Sequence, residues 1–204
     1  MKIALVCNMN NNNFSLMRYL RDLGVDAHLF PFAGEHEHFR PECDTWEIEK
    51  WQPYIHVLDF RNSQYDLVLK TGRSIRKHFA GFDSFIGSGL APALLAKAGI
   101  QLDIFYPYST GVEYAGGRVV TDIIKNGPLK RRLFYRYIQW SQIRALRKAR
   151  FCINPIIDGY TEQVFHSLIG RSFEAINIPM VYNRENVYPE NIPCGLKIIK
   201  TKLE

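Results

Sequence analysis

No stretch of this chain approaches the ~20 consecutive apolar residues that a membrane-spanning helix requires. The opening Met-Lys-Ile-Ala-Leu-Val-Cys is too short for the apolar core of a secretion signal and lacks a small-residue cleavage site. Cysteine is sparse. Cys7, Cys43, Cys152 and Cys194 are scattered, with no Cys-x-x-Cys pair, which speaks against a disulfide framework or a zinc ribbon and for a reduced, cytosolic protein. The usual nucleotide-binding glycine patterns are missing. Gly87-Ser88-Gly89 has Pro92 where the third glycine of Gly-x-Gly-x-x-Gly belongs, and no Lys-Ser/Thr pair follows as in a P-loop. Apart from a run of asparagines there is no internal repeat or low-complexity tract. One absence concerns charge: no acid occurs from Ile123 to Ile157.

What is present fits an α/β domain. The 204 residues suffice for one sizeable core, and the 47% hydrophobic content is ordinary for a globular protein. A net charge of +6 favours an anionic partner: nucleic acid, phospholipid headgroups or a phosphorylated substrate. The continuous apolar run Lys2 to Cys7 predicts a strand covered on both faces. Leu16, Met17, Leu20 and Leu23 then recur at helical spacing up to Gly24, and Val25 to Phe30 predicts a second strand. Between strand and helix lies Asn8-Met9-Asn10-Asn11-Asn12-Asn13. Asparagine tolerates left-handed backbone and bonds its own chain, so this run can build a tight turn and cap. It can equally offer amides to a ligand, and Asn10, Asn11 and Asn12 are candidate contacts.

The stretch from Phe82 to Gly117 predicts one βαβ unit. A short strand, Asp83 to Ile86, enters Gly87-Ser88-Gly89; a helix with Pro92 in its first turn ends at Gly99; a second strand, Asp103 to Tyr106, opens into a polar loop. Ligands of open parallel sheets bind at the carboxyl ends of the strands. Gly87, Ser88 and Gly89 are therefore candidates, either as a turn or as an anion seat at the helix start. Tyr108, Ser109, Thr110 and Glu113 in the next loop supply the hydroxyls, carboxylate and ring faces that carbohydrate sites use.

The remaining segments are read more simply. Ala33 to Ser63 is irregular and holds Glu35-His36-Glu37-His38, Cys43 and two tryptophans; so long a loop is a plausible substrate contact. Its His-x-His spacing with Cys43 fits no common zinc site, so no metal is assigned. Tyr65 to Leu69 predicts a strand and Gly72 to Phe79 a short helix. Lys130 to Arg150 carries eight basic residues. It predicts a long helix with Phe134, Ile138, Ala145 and Ala149 on one face. Its outer side is a solvated basic surface or a peripheral membrane contact through Lys130, Arg131, Arg132, Arg136, Trp140 and Arg144. No RNA- or DNA-binding motif accompanies it, so nucleic acid is the weaker reading. Phe151 to Asn154 predicts a buried strand. Asp158 predicts a helix cap, with Tyr160, Val164 and Leu168 on the face of a helix that Gly170 ends. Glu174 to Ile178 predicts a last strand. The six or seven strands make a Rossmann-like, doubly wound, mainly parallel sheet over residues 1–178, with 179–204 as an interdomain linker or the start of a second domain.

Several of these stretches together resemble the amino-terminal half of a GT-B glycosyltransferase of the retaining, nucleotide-sugar-dependent family numbered four. They are Lys2-Ile3-Ala4-Leu5-Val6, Gly87-Ser88-Gly89-Leu90-Ala91-Pro92, Asp103 to Tyr108 with Gly111-Val112-Glu113, and Asn177 to Asn183. The resemblance implies a domain that binds a sugar acceptor (glycan, lipid-linked or small-molecule), while a second Rossmann-like domain or partner subunit binds the nucleotide sugar. It implies no cofactor held by this half. Two departures stand out. The loop after Asp103–Tyr106 has no histidine, and paired glutamates eight positions apart, a feature of the donor domain, occur nowhere. The expectation is an acceptor-binding half, inactive alone and cytoplasmic, peripheral on the inner membrane face. The alternative is a Rossmann-like nucleotide- or protein-binding module without transferase activity.

Overall fold

The computed structural model describes residues 1–107, 109–154, 158–176, 178, 181 and 182. Tyr108 and nearly all of the proposed linker lie outside them. The chain begins with β1 (Lys2–Val6), α1 (Asn12–Asp22) and β2 (Asp26–Phe30). After α2 (Ile48–Trp51), α3 (Ser63–Leu69) and α4 (Gly72–Arg76) comes β3 (Ser84–Gly87), then α5 (Ala91–Lys97) and β4 (Ile104–Phe105). The closing elements are α6 (Arg118–Asn126), α7 (Leu129–Lys148), β5 (Phe151–Cys152) and α8 (Gly159–Ile169).

The five strands form one parallel sheet in the order β2-β1-β3-β4-β5. Isolated parallel bridges extend it at both edges: Leu29 with Ile55 and Phe32 with Leu58 beyond β2, and Ile153 with Glu174 beyond β5. Counted with those bridges, the strand order is that of the doubly wound Rossmann sheet. Period-two alternation sends side chains to opposite faces. Ala4, Val6, Phe85 and Phe105 pack against α5, α7 and α8 on one side. Ile3, Leu5, Ile86 and Ile104 pack against Phe14, Leu16, Met17 and Leu20 of α1 on the other. Both faces are thus covered, as a parallel sheet requires. Among the described residues no helix is long and apolar enough to cross a membrane.

Three expectations need correction. Tyr65 to Leu69 is helical. Asn62 Oδ1 accepts from the N–H groups of Gln64 and Tyr65, and Asp66 accepts from the Asn62 N–H, a reciprocal cap that starts a helix. Only Leu67 in that helix is buried, so the run Leu67-Val68-Leu69 has no second sheet face to serve. Glu174 to Ile178 makes one bridge and no strand among the described residues; Ile176 and Ile178 instead bury their side chains on the α1 side of the sheet. In α8 Thr161, Phe165 and Ile169 are fully buried, Val164 and Leu168 pack half-buried against the same core as expected, and only Tyr160, 73% exposed, departs from the expected face. The ends of α8 are as expected. Asp158 Oδ1 accepts from the Thr161 N–H at 2.7 Å, and Gly170 closes the helix at φ 76°.

Candidate functional site

Parallel strands send their carboxyl ends to one edge, and the register aligns them here. Val6 lies opposite Phe30 and Gly87, and Gly87 opposite Phe105. The loops after β1 and β3 leave adjacent strands toward opposite sides of the sheet, the switch point where such folds bind ligands. Three non-glycine residues in the first of these loops have positive φ: Cys7 (71°), Asn10 (53°) and Asn11 (58°). Left-handed backbone is costly for any residue with a Cβ, and asparagine bears it best. The turn is therefore strained and must be held by its surroundings.

Its own amides hold it. Asn8 Oδ1 accepts from the Phe14 N–H at 2.9 Å, and Asn8 Nδ2 donates to Asn11 Oδ1 at 2.7 Å. Asn13 Nδ2 donates to the carbonyls of Cys7 (2.6 Å) and Val6 (3.3 Å) and reaches Ser88 Oγ at 3.4 Å, joining the β1 loop to the β3 loop. The segment from Glu35 to Asp44 is laid across this turn. Asn8 Nδ2 donates to the Phe39 carbonyl, Asn11 Nδ2 to the His38 carbonyl, and the Asn8 N–H to Glu35 Oε1 at 2.7 Å. Arg18, buried on α1, pairs with Asp44 at the far end of the segment. Most of the asparagine run is thus structural. Asn10 is exposed, Asn11 is bonded within the protein, and only Asn12 has its whole amide buried without a partner.

Glu35 is the chemically distinctive residue of this edge. Its Oε1 accepts from the Asn8 N–H, and its Oε2 is sealed from solvent with no partner. Burial raises the Glu35 pKa to about 7, against smaller opposing contributions from the Asn8 N–H and from the neighbouring Cys7 and Phe32. Burial first, and the Glu35 charge second, push the Cys7 thiol well above its usual value, so Cys7 is no nucleophile at neutral pH. Tyr106, at the end of β4, is fully buried with an unpartnered hydroxyl, and burial raises its pKa.

The other expected contacts are placed as follows. Gly87 is the last residue of β3, and Ser88 is buried beside Asn13. Gly89 has φ +53°, and a Cβ there would stand 3.2 Å from Cys7 Sγ. An anion seat at the start of α5 is not available in the expected form. Buried Gln142 of α7 accepts from the Ala93 N–H at 3.3 Å and donates to the Gly89 carbonyl at 2.9 Å, while the Ala91 N–H bonds to the Ser88 carbonyl. Ser109 is exposed, and its carbonyl accepts from Asn154 Nδ2. Glu113 folds back on its own turn, accepting from Thr110 Oγ1 at 3.1 Å and the Gly111 N–H at 3.3 Å. His36 and His38 stack on each other, and Cys43 donates to the Glu37 carbonyl; among the described residues no group of three metal-ligating side chains forms.

Sequence reading missed Glu35 as an individual residue. Its signal was positional: it follows β2 at the edge that β1 and β3 share, yet it stood in an irregular stretch where nothing singled it out. No protein family, characterised protein or solved structure matches the chain. Fold and site together define a Rossmann-like α/β domain with a strained, polar, partly unsatisfied switch-point edge.

Proposed function

We propose that this domain binds the hydroxyl-rich acceptor of a sugar transfer, as the amino-terminal half of a nucleotide-sugar-dependent glycosyltransferase. The donor would be held by a second domain or subunit. One observation carries the reading. Among the described residues, the buried side-chain N and O atoms without partners belong to Asn12, Asn13, Arg18, Glu35 and Tyr106. All five stand on α1 or in loops at the carboxyl edge of the sheet. Buried polar groups are nearly always paired, so such a concentration is what a site for a polar ligand or for ordered water looks like. A carboxyl titrating near neutrality both donates and accepts, which suits a sugar hydroxyl. The resemblance of the β1, β3 and β4 loops to the acceptor half of GT-B enzymes supplies the substrate class. The exposed stripe of α7 that carries Trp140, Arg144 and Lys148 supports an anionic membrane surface as the setting.

Saturation-transfer NMR against a panel of mono- and disaccharides tests this. Sugars should bind weakly to the wild type and more weakly to the Asn12→Leu and Glu113→Gln proteins, with no turnover of a nucleotide sugar by this chain alone. Binding of nucleotides with indifference to sugars would replace the reading with a nucleotide-binding module. Donor turnover by the isolated chain would refute the assignment of the donor to a second domain or subunit.

A further inference from the structure

Away from the sheet edge, a groove of about 610 Å³ runs between α5 and α7. Leu67, Pro92, Ala93, Leu102 and Ala145 lie along its lining, with Trp140 and Tyr137 at one side and Arg144 and Lys148 beside them. No acid lines it. Among the described residues neither Arg144 nor Lys148 has an ion-pair partner, and Arg144 lies 5.3 Å from the centre of the Trp140 ring.

The helix continues this pattern beyond the groove. Leu129, Leu133, Tyr137 and Trp140 recur at three- and four-residue steps, so they share one face. They are 68, 56, 38 and 56% exposed, an unusual amount of apolar surface for one helix to leave uncovered. Arg144 and Lys148 follow on the same stripe. Arg131 falls on the other side of the helix, so the basic residues expected to meet a membrane do not act as one surface.

We infer that the α5/α7 groove seats one anionic phospholipid of a bilayer surface. Its phosphate lies between Arg144 and Lys148, its glycerol and upper acyl carbons lie on Pro92, Ala93 and Trp140, and the Leu129–Leu133 stripe dips into the interface. Charge selects the occupant: unpaired cations over an apolar floor fit a phosphate joined to hydrocarbon, which a sugar or an apolar peptide does not supply. Trp and Tyr beside the cations have the amphipathic character of interfacial anchors. The inference deepens the membrane setting proposed above and is independent of sugar transfer.

Co-sedimentation with vesicles of phosphatidylcholine, alone or mixed with phosphatidylglycerol, tests it. Wild type should bind the mixed vesicles and release in high salt, with a blue shift of Trp140 emission. Each cation near an anionic surface contributes about fivefold in affinity, so Arg144→Gln with Lys148→Gln should lose about 25-fold. Lys125→Gln with Arg131→Gln, an equal charge change off the stripe, should lose clearly less. Ala96→Phe blocks the groove from an exposed position of α5 without altering charge and should also weaken binding. Mixed vesicles bound equally by wild type and Ala96→Phe, or equal losses for the two charge pairs, would overturn the groove while keeping the membrane surface. Binding to neither vesicle, or tighter binding to single-stranded RNA, would overturn both. Glycerol 3-phosphate should not compete at concentrations that leave salt screening unchanged; full competition would mark a soluble phosphate site in place of a lipid one.

Discussion

Replacing Glu35 by Gln should make the protein more stable at pH 8 and slightly less stable at pH 4.5. Folding encloses the Glu35 carboxyl, whose pKa rises from an ordinary 4.5 to about 7. Between those values the folded state holds a proton that the unfolded chain has released. Stability therefore falls as pH rises through this window, and the loss is complete above the folded pKa. At ~1.4 kcal/mol per unit the full loss is about 3 kcal/mol. Gln cannot ionise, so it avoids that loss. Its Oε1 can still accept from the Asn8 N–H, but its Nε2 would stand where Oε2 has no partner, at a cost of ~1 kcal/mol. The net gain at pH 8 is about 2 kcal/mol. Urea unfolding of both proteins at intervals from pH 4.5 to 8 measures it. His28 and His56, whose pKa values burial lowers, tilt both profiles the other way, so the difference between the proteins isolates Glu35. Parallel profiles across the window would refute the argument and mean that Glu35 stays solvated. Weaker sugar binding by the stabilised Glu35→Gln protein would be the stability–function trade-off expected of a ligand group.

Five further substitutions probe the same edge. Asn13→Leu removes bonds to the Val6 and Cys7 carbonyls and should cost about 2 kcal/mol in urea unfolding, whereas Asn12→Leu, which loses no bond, should be neutral or stabilising. Gln142→Leu strands the Gly89 carbonyl and the Ala93 N–H together, and about 3 kcal/mol should be lost, with faster exchange of the Ala93 amide. Gly89→Ala forces a Cβ into left-handed backbone against Cys7 and Met9, and a drop of about 2 kcal/mol is expected. Glu113→Gln keeps an acceptor for Thr110 and Gly111, so its thermal midpoint should stay within a shift worth ~0.5 kcal/mol while sugar binding weakens; a loss of several kcal/mol would make Glu113 a structural residue only.

Periodicity and punctuation carried most of the fold. The apolar run Lys2–Val6, the helix between the asparagine turn and Gly24, the βαβ unit around Gly87, and the capped helix from Asp158 to Gly170 are local signals with local causes, legible without a partner in view. The sequence also determined that Arg144, Lys148 and Trp140 share a helix bare of acid. Other features depended on what lies across space. Whether Leu67-Val68-Leu69 is strand or helix turned on a cap at Asn62 and on one buried side chain. Which asparagine is bonded was decided by the segment Glu35–Asp44 arriving from beyond β2, and Gln142 became the brace of the Gly89 turn only when α7 packed on α5. Glu35 is the clearest case. A glutamate in an irregular stretch is ordinary in sequence, and only enclosure at the edge where parallel strands end together gives its carboxyl a pKa near 7, because burial opposes charge wherever it occurs along the chain.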